Sequence, residues 1–141
     1  MSDTPATFFI TKSLRPKKPV LDDSARETIV SALGFAVEHK RIFLRAFVVM
    51  PDALVALRDL WTLPKLTHHL MSYVGARTPT LLQSHKTCWQ DGYYDTRVKT
   101  AKQFEFVAYY IEQNPVVKGL VESSDQWDAS SAARRHLLTD P

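Results

Sequence analysis

The sequence predicts an α+β domain in which a four-stranded antiparallel sheet carries its helices on one face. Short β-branched and aromatic runs alternate with segments of helical apolar spacing, in the order β-α-β-β-α-β-α. Two of the runs are separated only by Pro51 and Asp52, a connection that suits an antiparallel hairpin and is too short for a parallel crossover. With 141 residues the chain reads as one domain, residues 1–141, able to bury roughly 70% of its unfolded surface.

Residues 7–11 have the β-branched and aromatic content of a first strand. Arg15, Pro16, Lys17, Lys18 and Pro19 then form a basic loop. Ser24 and Glu27 have the spacing of a capping box, and Ile29, Leu33, Ala36 and Val37 recur at helical spacing up to the polar end at Glu38, His39 and Lys40. Residues 42–50 are apolar apart from Arg45, the pattern of a central strand covered on both faces. A further strand over 53–57 follows the Pro51–Asp52 turn. Pro64 suits the first turn of a second helix whose buried stripe is Leu63, Leu66, Leu70, Met71 and Val74. Residues 93–98 read as a fourth strand. Residues 101–113 read as a third helix with Phe104, Val107 and Ile111 on one face, stopped by Asn114 and Pro115. This order is the split β-α-β, ferredoxin-like arrangement.

Composition narrows the function classes. The chain is 45% hydrophobic and 23% charged, which excludes disorder as its main state. Its longest apolar stretch, near Ala46 to Met50, is far short of the ~18 residues that span a bilayer. No signal peptide follows Met1, so a cytoplasmic protein without a membrane partner is expected. The single cysteine, Cys88, excludes an internal disulfide and a cysteine-rich zinc site. A net charge of +3 and a pI near 9.1 are compatible with a nucleic-acid partner.

The pattern of motifs is more specific. Phe47-Val48-Val49-Met50-Pro51-Asp52 is a strand running into a turn, Trp89-Gln90 precedes Tyr93-Tyr94-Asp95, and Tyr109-Tyr110-Ile111-Glu112-Gln113-Asn114-Pro115-Val116 sits on the third helix. Lys118-Gly119-Leu120-Val121-Glu122, Trp127 and Ser130-Ser131 follow. In this order and spacing the segments resemble the REP-associated tyrosine transposases of the single-tyrosine HUH transposase superfamily. The resemblance covers about residues 8–131 and leaves a tail at 132–141. It implies a homodimeric protein that recognises hairpin-forming single-stranded DNA, cuts it and rejoins it through a covalent tyrosine link.

The resemblance places Tyr110 at the nucleophile position. An attacking phenolate needs positive charge on the scissile phosphate, and in the family a Mg²⁺ or Mn²⁺ supplies it, held by the two histidines of a His-hydrophobic-His strand motif and one further polar residue. Strand side chains at i and i+2 point the same way and can share one ion. Here those positions are Ala53 and Val55, neither of which binds metal, and Asp95-Thr96 stands where relatives often carry Asp-His. No cofactor is therefore expected. Weak candidates for a divalent ion are Asp52 and Asp95, and Gln113, three residues after Tyr110, is a further candidate phosphate or metal contact.

Plainer readings stand beside these. Tyr110 follows Phe106 and Val107 at helical spacing and reads equally as a core or rim aromatic, and Ala53, Val55 and Leu57 fit a buried strand face. His68 and His69 are adjacent on a helix and diverge by about 100°, so they cannot clamp one ion. His85 and Cys88 lack a second ligand pair. For DNA the candidates are Arg15, Lys17 and Lys18 in the first loop, and Lys86, Tyr94, Arg97 and Lys99, where cations interleave with Trp89 and Tyr93.

Three functions follow. The first is a decayed or domesticated transposase-like protein that binds single-stranded or hairpin DNA with impaired cleavage. The second is an active transposase with a non-standard metal site. The third is a dimeric interaction module without DNA, which the modest net charge also allows.

Overall fold

The computed structural model describes residues 6–14, 21–39, 43–60 and 94–139. Strands β1 (Ala6–Ser13), β2 (Phe43–Met50), β3 (Ala53–Leu60) and β4 (Tyr94–Arg97) form one antiparallel sheet in the order β2-β3-β1-β4. Helix α1 (Asp23–Glu38) connects β1 to β2, and α2 (Ala101–Val117) follows β4. The expected α+β class, the four-stranded antiparallel sheet and the hairpin at Pro51 and Asp52 are all present. Two backbone bonds brace that turn, from Leu14 N–H to the Asp52 carbonyl at 2.8 Å and from Leu21 N–H to the Pro51 carbonyl at 2.7 Å. The helix expected from Pro64 lies outside the described residues.

Alternation along the strands divides the interior into two cores. Ile29, Leu33 and Ala36 of α1 pack on Ile10, Leu44, Phe47, Val49, Leu54 and Ala56. Val107 and Ile111 of α2 pack on Ala46, Val48, Met50, Ala53, Val55 and Leu57. The two described helices therefore lie on opposite faces of the sheet, where the sequence reading had placed helices on one. The physical reason is in β2 and β3. Residues 46–50 and 53–57 are buried without interruption, so both faces are apolar and each needs its own cover. Full burial of one such Leu, Ile or Phe contributes about 1.5–3 kcal/mol.

A β-bulge between Leu44 and Ala46 sets this division at the start of β2. It leaves Arg45 out of the pairing, sends the Arg45 guanidinium to the Thr139 carbonyl at 3.3 Å, and puts Leu44 under α1 but Ala46 under α2.

The apolar run 42–50 suggested a central strand, yet β2 is the sheet's outer strand. Its free edge is covered by the C-terminal segment. Val49 N–H donates to the Ala129 carbonyl at 2.8 Å, Ser131 N–H to the Phe47 carbonyl at 2.9 Å and Thr139 N–H to the Leu44 carbonyl at 2.9 Å. The Trp127 indole N–H donates to the Val49 carbonyl at 3.0 Å, and its ring packs against both cores. An edge strand paired in this way offers no ladder to another chain. Arg134 ties the same segment to α1 through Glu27 and to its own turn through Asp128. The hydrogen bond to Glu27 is the main influence holding the Arg134 guanidinium above its ordinary pKa, against the effect of burial, with Asp128 adding to it.

Both helix ends differ from expectation. Asp22, not Ser24, caps α1, its carboxylate accepting the Ala25 N–H at 2.8 Å, because the helix already begins at Asp23. Thr100 caps α2 by accepting the Gln103 N–H at 3.1 Å. At its far end α2 runs through Asn114 and Pro115 to Val117, with Pro115 buried. The stop is Gly119, whose φ of 75° reverses the chain. Gly119 N–H donates to the Val116 carbonyl and Leu120 N–H to the Pro115 carbonyl, the Schellman pattern that satisfies the last carbonyls. Among the described residues no helix is long and apolar enough to cross a membrane.

Candidate functional site

The strand register decides which candidates meet. Thr11 of β1 pairs with Val55 of β3 on one side and with Tyr94 of β4 on the other, so all three share the face that α2 covers. Phe9, Ala53 and Met50 lie on the same face. From above, α2 presents Tyr110, Asn114 and Lys118 at i, i+4 and i+8, one row along the helix. These elements form an open cavity of about 190 Å³ whose described lining is Phe9, Thr11, Met50, Asp52, Ala53, Val55, Tyr110, Asn114 and Lys118.

The nucleophile candidate and the two strand positions assigned to metal-binding histidines are thus brought together around one space. Tyr110 is a rim residue, 48% exposed, with its ring held edge-on against Phe9 at 6.1 Å between centroids and 65° between planes. Among the described residues its hydroxyl has no hydrogen-bond partner. Ala53 and Val55 are buried and present only methyl groups. Asp52 sits exposed on the hairpin turn at the cavity wall.

Other candidates fall elsewhere. Asp95 pairs with Ile10 and Arg97 with Phe8, two residues of the α1-side core, so both lie on the sheet face away from Tyr110. Gln113 is not among the lining residues. Helical geometry brings the residue four positions on, Asn114, to the cavity instead. Lys99 lies beside the N-terminus of α2, next to a separate cleft that includes Thr100 and Phe104. Tyr94 is 78% exposed beside Thr11, and Phe106 and Tyr109 are exposed on the outside of α2. Arg15, Lys17, Lys18, His68, His69, His85, Lys86, Cys88, Trp89 and Tyr93 lie outside the described residues. Sequence reasoning missed Thr11, Asn114 and Lys118 as wall residues. The signal for the last two is the four-residue period from Tyr110, which Asn114 and Pro115 mask because they locally discourage a helix.

The residues present do not fit a divalent cation held by side chains from β3. Among the described lining residues, side-chain oxygen atoms come from Asp52, Asn114, Thr11 and Tyr110, the β3 positions offer methyl groups, and Lys118 brings a positive charge to the same cavity. No group of three or more His, Cys, Asp or Glu residues suited to a metal occurs among the described residues.

The C-terminal segment fixes α2 over this cavity. Glu112, two residues beyond Tyr110 and largely buried, accepts the Ser131 hydroxyl proton at 2.7 Å and the Arg135 guanidinium at 2.9 Å. Ser131 is fully buried, and its Oγ also accepts the Phe47 N–H at 3.1 Å. One hydroxyl thereby joins the tyrosine helix, the edge of β2 and the tail.

Fold and cavity together define an α+β domain in which α2 covers a tyrosine-lined cavity on one face of the sheet. The sequence itself matches no known protein family and no curated protein. Among solved structures, the fold is shared with a REP-associated tyrosine transposase bound to a REP hairpin, at a TM-score of 0.76 and 20% identity, over 95% of this chain and 84% of that one. A candidate transposase from Deinococcus radiodurans R1 is also similar, with a TM-score of 0.56 and 17% identity over 82% of this chain and 91% of that one.

Proposed function

We propose that this protein binds single-stranded or hairpin DNA on the α2 face of its sheet and is impaired in cleaving it. The observation that carries the reading is the cavity itself, in which a half-exposed tyrosine stands over two buried methyl-bearing side chains. The fold shared with a hairpin-bound transposase supports DNA as the ligand. Exposed Tyr94, adjacent to the cavity wall, supplies a π-face on which an unpaired base can stack, worth about 1–3 kcal/mol per base. Without a cation to offset the charge that develops on an attacked phosphate, in-line attack by Tyr110 is slow. A homodimer in the cytoplasm belongs to the same reading. In such a dimer the outer edge of β2 is already used by the chain's own tail.

Asp52 and Asn114, both on the cavity wall, favour the second reading, an enzyme that keeps a weak cation there. One experiment separates the two. A labelled hairpin with single-stranded flanks is incubated with protein in EDTA or Mn²⁺, then run on native and denaturing gels. Complex formation that weakens with salt, without a covalent adduct in either condition, is the expected result. An adduct through Tyr110 establishes the enzyme, and no complex at low salt removes DNA as the ligand.

A further inference from the structure

We propose that the Lys118 ammonium, with the Asn114 amide and the Thr11 hydroxyl, forms a metal-independent phosphate subsite beside Tyr110. This rests on the DNA-binding reading and names the part of the ligand held at the cavity, one backbone phosphate. The cavity, about 190 Å³ and open on one side, has room for a group the size of one phosphate. Its polar groups are grouped for an anion. Asn114 and Thr11 bring an amide and a hydroxyl donor, and Lys118 brings the one positive charge among the described lining residues.

Lys118 is available for this role. It makes no ion pair with Asp52, although both line the cavity, and no described carboxylate neutralises it. It is not needed to satisfy the end of α2 either, because the Gly119 and Leu120 N–H groups bond the last carbonyls. The four-residue row from Tyr110 through Asn114 to Lys118 sets hydroxyl, amide and ammonium along one helix edge. Across it, Ala53 and Val55 provide an apolar wall, while the Lys118 ammonium reaches the site from the exposed helix end. Asp52 opposes this attraction, so its carboxylate weakens the subsite.

The test measures fluorescence anisotropy of the flanked hairpin against salt, in EDTA and in Mg²⁺, for wild type, Lys118→Ala, Lys118→Arg and Asp52→Asn. Wild-type affinity should be the same with and without Mg²⁺. Lys118→Ala should weaken binding by about three- to tenfold at low salt and reduce the salt slope by about 0.7, the contribution of one single-strand phosphate contact. Lys118→Arg should keep most of the affinity, and Asp52→Asn should tighten binding. A second arm titrates inorganic phosphate and follows the Asn114 side-chain amide by ¹⁵N NMR, where a saturable shift in wild type should vanish in Lys118→Ala.

DNA binding that needs Mg²⁺, or that is the same in Lys118→Ala as in wild type, overturns the subsite and leaves the DNA reading standing. A phosphate response without DNA binding keeps the subsite and overturns the DNA reading. Absence of both overturns both.

Discussion

Replacing Ser131 with Ala tests the joint that holds α2 to the sheet. The Oγ atom is fully buried, accepts the Phe47 N–H at 3.1 Å and donates to Glu112 at 2.7 Å. Both Phe47 backbone groups point away from β3. Its carbonyl keeps the Ser131 N–H after the substitution, but its N–H is left buried with no acceptor. That orphaned donor costs about 1–3 kcal/mol. Loss of the charge-assisted bond adds to this, reduced because Glu112 retains Arg135. The sum is about 2–4 kcal/mol, a large part of a typical stability of about 5–15 kcal/mol. At about 3 °C per kcal/mol for a domain of this length, Tm should fall by about 6–12 °C. Circular dichroism melts and urea titrations of Ser131→Ala, Glu112→Ala and the double variant read both the loss and the coupling. Contact between the two residues predicts a coupling of about 1 kcal/mol. A Ser131→Ala variant within about 0.5 kcal/mol of wild type, or a pair whose effects simply add, would refute the claim that this hydroxyl joins the three elements.

Two further outcomes follow from the geometry. Gly119→Ala meets no steric obstacle, since no atom lies within 4 Å of the added Cβ, so the φ of 75° alone should cost about 1–2 kcal/mol in urea unfolding. Ala53→His with Val55→His places two imidazoles on the cavity floor below Tyr110, and should create Mn²⁺-dependent covalent adducts with single-stranded DNA that Tyr110→Phe abolishes. An adduct formed by the unaltered protein would contradict the reading of a lost cation site.

Local chemistry was legible where a short stretch of chain decides it. The turn at Pro51 and Asp52 fixed the hairpin, and period-two alternation placed Ala53 and Val55 on one face. What failed was decided by partners distant in sequence. Asn114 and Pro115 discourage a helix locally, but burial of Ile111 and Pro115 on the sheet and the reversal at Gly119 carry α2 four residues further. The extra turn is what carries Asn114 and Lys118 to the cavity wall. The run at 42–50 is apolar enough for a central strand. It lies at the edge because the segment from Trp127 to Thr139, some 80 to 95 residues later, supplies the missing neighbour. Asp95, the weak cation candidate, and Arg97, a DNA candidate, are both turned by the β1–β4 register to the face away from Tyr110.

The same register explains how the domain holds its tyrosine helix. Side chains that bind a cation at positions 53 and 55 would put polar rings on the cavity wall where the α2-side core now ends in methyl groups. Ala53 and Val55 instead extend the surface on which Val107 and Ile111 pack. The helix is fixed at its other flank by Glu112, through Ser131 to β2 and through Arg135 to the tail. Placement of Tyr110 is therefore a consequence of apolar packing and one buried hydroxyl, which on the proposed reading leaves recognition to the cavity. An ammonium on a flexible stem is suited to that work, because it attracts a phosphate as a point charge without imposing the fixed coordination geometry that a metal-assisted transfer requires.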